Sequence, residues 1–195
     1  MGEIMKFKWI KSNRSIIKFL LMLLIISTLI GIYFYLSKEK IIKESINTEL
    51  IKMIDNLNIT RQNNIINHLL ILIILSVLSL TIIGLPIIII YFIYEGISIG
   101  FLLSSFINYS PIKGFLFGSI FIIISKTIYI LILIYLLTNT LKYTKSFIKR
   151  LKISKNDIIT NQLAKTIFCI TIILINDIIL YFLGNKIILL FKFIL

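Results

Sequence analysis

From Leu80 to Gly118 the chain reads LTIIGLPIIIIYFIYEGISIGFLLSSFINYSPIKGFLFG, nearly unbroken apolar sequence punctuated by Gly84-Leu85-Pro86, Glu95-Gly96, Gly100 and Pro111 to Gly114. Runs this long need a bilayer as solvent. Within hydrocarbon every backbone N–H and C=O must be satisfied internally, so the spanning solution available to such blocks is the α-helix. Only 15% of the residues are charged, against about 25% in soluble domains. The expected fold class is all-α, a polytopic helical protein of the cell membrane in direct contact with lipid.

Length sets the expected spans. Ile16 to Leu36 makes a helix of about 31 Å, which matches a hydrocarbon core of about 30 Å. It is too long for a cleaved leader, and Tyr33 to Lys38 offers no small-x-small cleavage site. The block from His68 to Tyr94 would be about 40 Å as one straight helix, so Gly84 and Pro86 are expected to kink it. The expected spans are therefore 16–36, 68–94, 96–109, 114–137 and 165–183, in one integral membrane domain over 1–195. This partition leaves Glu95 at an interface, where it faces water.

The net charge of +13 does not point to nucleic acid, because no soluble domain is available to form a groove. Lys6, Lys8, Lys11, Arg14 and Lys18 precede the first span, and Lys142, Lys145, Lys149, Arg150, Lys152, Lys155 and Lys165 fall in or beside the basic loop 138–164. The positive-inside rule puts both groups in the cytoplasm, which gives five spans with the amino terminus in and the carboxyl terminus out. The loop 37–67 mixes acids with bases and is expected outside. In it Ile42, Ile46, Leu50, Met53, Ile54 and Leu57 recur at helical spacing, which predicts an amphipathic helix. That helix rests on lipid or on the protein's own spans, or it presents a docking surface.

Gly96, Gly100 and Ser104 share one helical face, and Gly114 and Gly118 repeat the spacing. Together with Gly84 and Pro86 they form the expected helix-packing set, serving close approach between the chain's own spans or between copies in a homo-oligomer. Three ionisable residues fall in or near the spans: Glu95, Lys126 and Asp177. A charge at mid-membrane costs at least about 2.5 to 3.5 kcal/mol on insertion scales, so a Lys126–Asp177 pair is expected.

Catalytic patterns are missing from the sequence. His68 is the one histidine, no Ser stands in a Gly-x-Ser-x-Gly turn, and no phosphate-binding glycine loop occurs. Cys169 is alone in an apolar segment, which excludes an intramolecular disulfide and a multi-cysteine metal site. The expectation is a protein without enzymatic activity, cofactor or metal. The abundance of Ile, Lys, Asn and Phe, with Ala164 the single alanine, reflects an AT-rich genome and suggests a low-GC bacterium.

Ile82 to Pro86, Glu95-Gly96, Gly100-Phe101 and Lys113-Gly114-Phe115 together resemble the stage II sporulation protein M family of spore-forming bacteria, in which an I-x-G-L-P stretch precedes a long apolar run, a charged residue followed by Gly, a G-F step and a K-G-F loop. The chain departs from that pattern at Glu95, where the family more often carries Lys, and at Ile124 to Lys126, where Pro and Asn are expected. The resemblance implies a scaffold of forespore engulfment that holds the peptidoglycan-degrading stage II sporulation proteins P and D at the septal membrane. The other function class is a small permease or transporter subunit, for which the intramembrane charges and broken spans are the supporting features.

Overall fold

The computed structural model describes residues 13–55, 70–71, 73–75, 77–79, 81, 83–148, 163–165, 167–172, 174–176 and 178. The regular structure among them is helical. Helix α1 runs Arg14–Leu36, α2 Lys40–Asp55, α3 Gly84–Tyr109 and α4 Pro111–Ile148. A shorter apolar helix, α5, covers Leu163–Asn176. Three of these, α1, α3 and α4, are long and apolar enough to cross a membrane.

The boundaries differ from those expected. Spans 68–94 and 96–109 are replaced by the single 26-residue α3, preceded by a stretch in which Leu70, Ile71, Ile73 to Leu75, Val77 and Leu78 are helical. The break falls at Thr81 to Gly84, where the Gly84 N–H donates to the Thr81 hydroxyl at 3.0 Å and that hydroxyl donates to the Leu78 carbonyl at 2.8 Å. Pro86 kinks nothing, because it sits in the first turn of α3, where helix N–H groups have no acceptor within the helix. Nor does Glu95-Gly96 interrupt the helix. A mid-helix glycine costs roughly 1 kcal/mol relative to alanine, and Gly96 recovers it by lying against Ser27.

Packing fixes the directions. Leu20 clusters with Ile88 and Phe92, Gly31 meets Ile97, and the Tyr35 ring stands edge-on to Phe101 at 5.3 Å, so α1 and α3 run parallel. Tyr91 reaches Tyr129, Glu95 reaches Lys126, and Phe106 packs on Phe117 at 4.8 Å, so α4 returns antiparallel to α3. The turn between them is one residue, Ser110, followed by Pro111 as the first residue of α4, where its fixed φ and missing N–H are harmless. Arg14 and the end of α4 consequently share one end of the bundle. Leu36, α2 and Ser110 share the other.

The core lies toward the first of these ends. Leu20, Leu75, Ile88, Phe92, Tyr129, Leu133, Leu137 and Cys169 form one buried cluster, which gives Cys169 a packing role on α5. The amphipathic helix forms as expected and closes the opposite end. Ile46 packs onto the Phe106–Phe117 cluster, while the Lys43 ammonium donates to the Leu36 carbonyl at 2.8 Å and lies 5.8 Å from the Tyr35 ring centroid. A cation on the last carbonyls of a helix both satisfies an orphan acceptor and opposes the dipole of α1.

Candidate functional site

Halfway along α3, Glu95 turns into the bundle with its side chain 4% exposed, and Lys126 of α4 meets it at 2.9 Å. This corrects two expectations. Glu95 does not face water, because the helix runs unbroken through Gly96 and turns the side chain into the bundle. Lys126 takes Glu95 as its partner, while Asp177 lies outside the described residues, as does His68.

Two tyrosines complete the arrangement. The Tyr91 hydroxyl, four residues before Glu95 on the same helix, donates to Glu95 Oε1 at 2.7 Å. Lys126 Nζ donates to Oε2 at 2.9 Å, so each carboxylate oxygen has its own donor. The Tyr91 and Tyr129 hydroxyls are 2.7 Å apart. Since the single Tyr91 proton is already on Glu95, Tyr129 must be the donor in that contact. Lys126 Nζ also lies 5.8 Å from the centroid of the Tyr129 ring. The heavy-atom positions fit a carboxylate accepting one hydrogen bond from an ammonium and one from a phenol.

The arrangement pairs an acid with a base and ties α3 to α4 midway along α3. In hydrocarbon an uncompensated carboxylate or ammonium is strongly disfavoured, so each member fixes the other in place. Among the described residues no group of three or more His, Cys, Asp or Glu gathers at one place.

The glycine faces are occupied within the chain. A Cβ on Gly100 would meet the backbone oxygen of Thr28, one on Gly31 the backbone oxygen of Ile97, and one on Gly96 would lie 2.5 Å from Ser27 Cβ. Ser104, buried on the same face, donates its hydroxyl to the Gly100 carbonyl at 2.9 Å. Gly114 and Gly118 serve a different neighbour, Phe106, whose backbone and ring cover them. Sequence reasoning found one side of the α1–α3 contact and missed the other, Ser27 and Gly31, although these two are themselves a small-x-x-x-small pair. It also missed Tyr91 and Tyr129, whose signal was their spacing: four residues before Glu95 and three after Lys126, each on the face of its helix that carries the charge.

Comparison with family models, with curated proteins and with solved structures finds no match to this chain.

Proposed function

We propose that the chain is a non-enzymatic membrane scaffold of forespore engulfment, with five spans, a cytoplasmic amino terminus and an extracytoplasmic carboxyl terminus, which anchors peptidoglycan-degrading partners at the sporulation septum. The observation that carries this reading is the Glu95–Lys126 pair, in which the mid-membrane charges neutralise each other and stiffen a frame. A permease would instead need such groups to exchange partners with a solute or a proton during a cycle. The resemblance to the stage II sporulation protein M family supplies the specific role. Both departures from that family's pattern, Glu95 and the Ile124 to Lys126 stretch, meet in space, so they read as one compensated change. The partners proposed on this basis resemble stage II sporulation proteins P and D, and the proposed topology would put α2 on the side of the membrane where they act.

Purification of the tagged chain from sporulating cells is expected to bring peptidoglycan hydrolases with it, and its deletion to leave those hydrolases dispersed and engulfment incomplete. Normal septal recruitment of the hydrolases without the chain would overturn the scaffold reading. Topology is tested separately. A reporter fused after Lys152 is expected in the cytoplasm and one inserted near Glu44 outside; both on one side would remove the five-span arrangement.

A further inference from the structure

The two ends of the bundle differ in charge. Arg14 and Lys18 on α1 and Lys142 and Lys145 on α4 are exposed at the end where α1 begins, and Lys165 near the start of α5 belongs to the same end, since Cys169 one turn later packs in the cluster with Leu20 and Leu137. The acidic residues of the described helices are elsewhere: Glu44, Glu49 and Asp55 on α2, and Glu95 inside the lock. At the opposite end Lys38, Lys40, Lys43, Lys52 and Lys113 are offset by Glu39, Glu44, Glu49 and Asp55, so that end carries little net charge.

The position of these cations along the bundle follows from the α3–α4 register, and their depth from setting the start of α3 at the edge of the hydrocarbon. Tyr91 opposite Tyr129 and Glu95 opposite Lys126 bring Gly84 level with about Leu137. Residues 138–148 therefore continue beyond the start of α3 by about 16 Å at about 1.5 Å per residue. On this extension Thr138, Thr140, Tyr143 and Thr144 are buried while Lys142 and Lys145 are exposed. The two lysines thus stand on the outward face, about 7 to 12 Å past the apolar part of the helix. A headgroup layer is about 5 to 8 Å thick, given a hydrocarbon core of about 30 Å inside a bilayer of about 40 to 45 Å. Lysine side chains reach that layer from either position.

We propose that this end of the bundle is a binding site for anionic lipid headgroups, with Lys142 and Lys145 as the principal phosphate-binding residues and Arg14 and Lys18 of α1 beside them. The charge selects a phosphodiester without a compensating cation, as in phosphatidylglycerol, over a zwitterionic headgroup. The depth selects a lipid over a soluble anion. This inference is independent of the scaffold reading and holds for any function of the chain.

The test uses the full chain in neutral detergent, with thermal unfolding and lipid retention by native mass spectrometry as readouts, and phosphatidylglycerol, phosphatidylcholine or inorganic phosphate as the added probe. Phosphatidylglycerol is expected to be retained and to raise the unfolding temperature, phosphatidylcholine and inorganic phosphate to do neither. Since one lysine near a charged membrane surface is worth roughly a fivefold change in affinity, Lys142→Gln with Lys145→Gln should weaken phosphatidylglycerol binding about 25-fold. Lys38→Gln with Lys40→Gln, removing the same charge from the other end, should leave it unchanged. The unfolding temperature without lipid shows whether either variant is damaged, and Lys142→Arg with Lys145→Arg should bind as the wild type does. Equal retention of the two lipids, equal stabilisation by inorganic phosphate, or undiminished binding in the Lys142, Lys145 glutamine variant would each overturn the proposal.

Discussion

Lys126→Leu is expected to remove most of the folded protein from the membrane. The substitution leaves Glu95 buried with Tyr91 as its remaining donor, and breaking a buried pair from one side costs about 3 to 5 kcal/mol. Against a total stability of about 5 to 15 kcal/mol that is a large fraction. Removing both charges together, Glu95→Gln with Lys126→Met, should return the level close to that of the wild type, because a neutral pair leaves no stranded ion. The exchange Glu95→Lys with Lys126→Glu should also recover much of the loss, since opposite charges still face each other at the same depth. Membrane abundance and thermal unfolding in micelles of the single and the two doubles decide the matter. A Lys126→Leu protein as abundant and stable as the wild type would mean that the two helices do not meet through this pair.

The second large effect is expected at Gly100. Even a methyl group there meets the backbone oxygen of Thr28 and stands 3.1 Å from the Ile32 nitrogen. Backbone on a neighbouring helix cannot rotate away as a side chain can, so α1 and α3 must separate along the contact. Gly100→Ala should fall at or above the range of about 1 to 3 kcal/mol typical of overpacking, and Gly100→Leu should prevent stable folding. Gly118→Ala provides the contrast. Its new Cβ would lie 3.0 Å from Phe106 Cδ2, 3.1 Å from Phe106 Cβ and 3.3 Å from Leu103 Cδ1, side-chain contacts that a shift of a few tenths of an ångström relieves. Unfolding temperatures should therefore drop sharply for Gly100→Ala and little for Gly118→Ala, and the reverse order would show that the α1–α3 backbones are not in contact.

The all-helical class was legible because apolar runs of this length leave no other solution in a bilayer. The amphipathic α2 was legible as well, from the spacing of Ile42, Ile46 and Leu50. Helix ends were not. Hydropathy records how apolar a residue is and says little about whether a glycine breaks a helix or nestles against another one, so from sequence Gly96 reads as a boundary and the boundary at Thr81 to Gly84 reads as a kink. That error propagated to the candidate site. With Glu95 placed at an interface, Lys126 was left without an acid at its own depth and was assigned to Asp177. Pairing across helices depends on register, and register here is set by Ser110, the one-residue turn that folds α3 and α4 directly onto each other.

That short turn has a bearing on how the chain is made. Lys126 follows Glu95 by 31 positions, and at about 5 to 20 residues per second a ribosome takes about 2 to 6 seconds to deliver the one after the other. During that interval the acid on α3 has Tyr91 of its own helix as a donor but no cation beside it, and a mid-helix acid opposes partitioning into lipid by about 2.5 to 3.5 kcal/mol. Because Ser110 is the single residue between them, α4 is the next segment to emerge after α3, and a hairpin entering lipid as one unit would carry its acid and its base together.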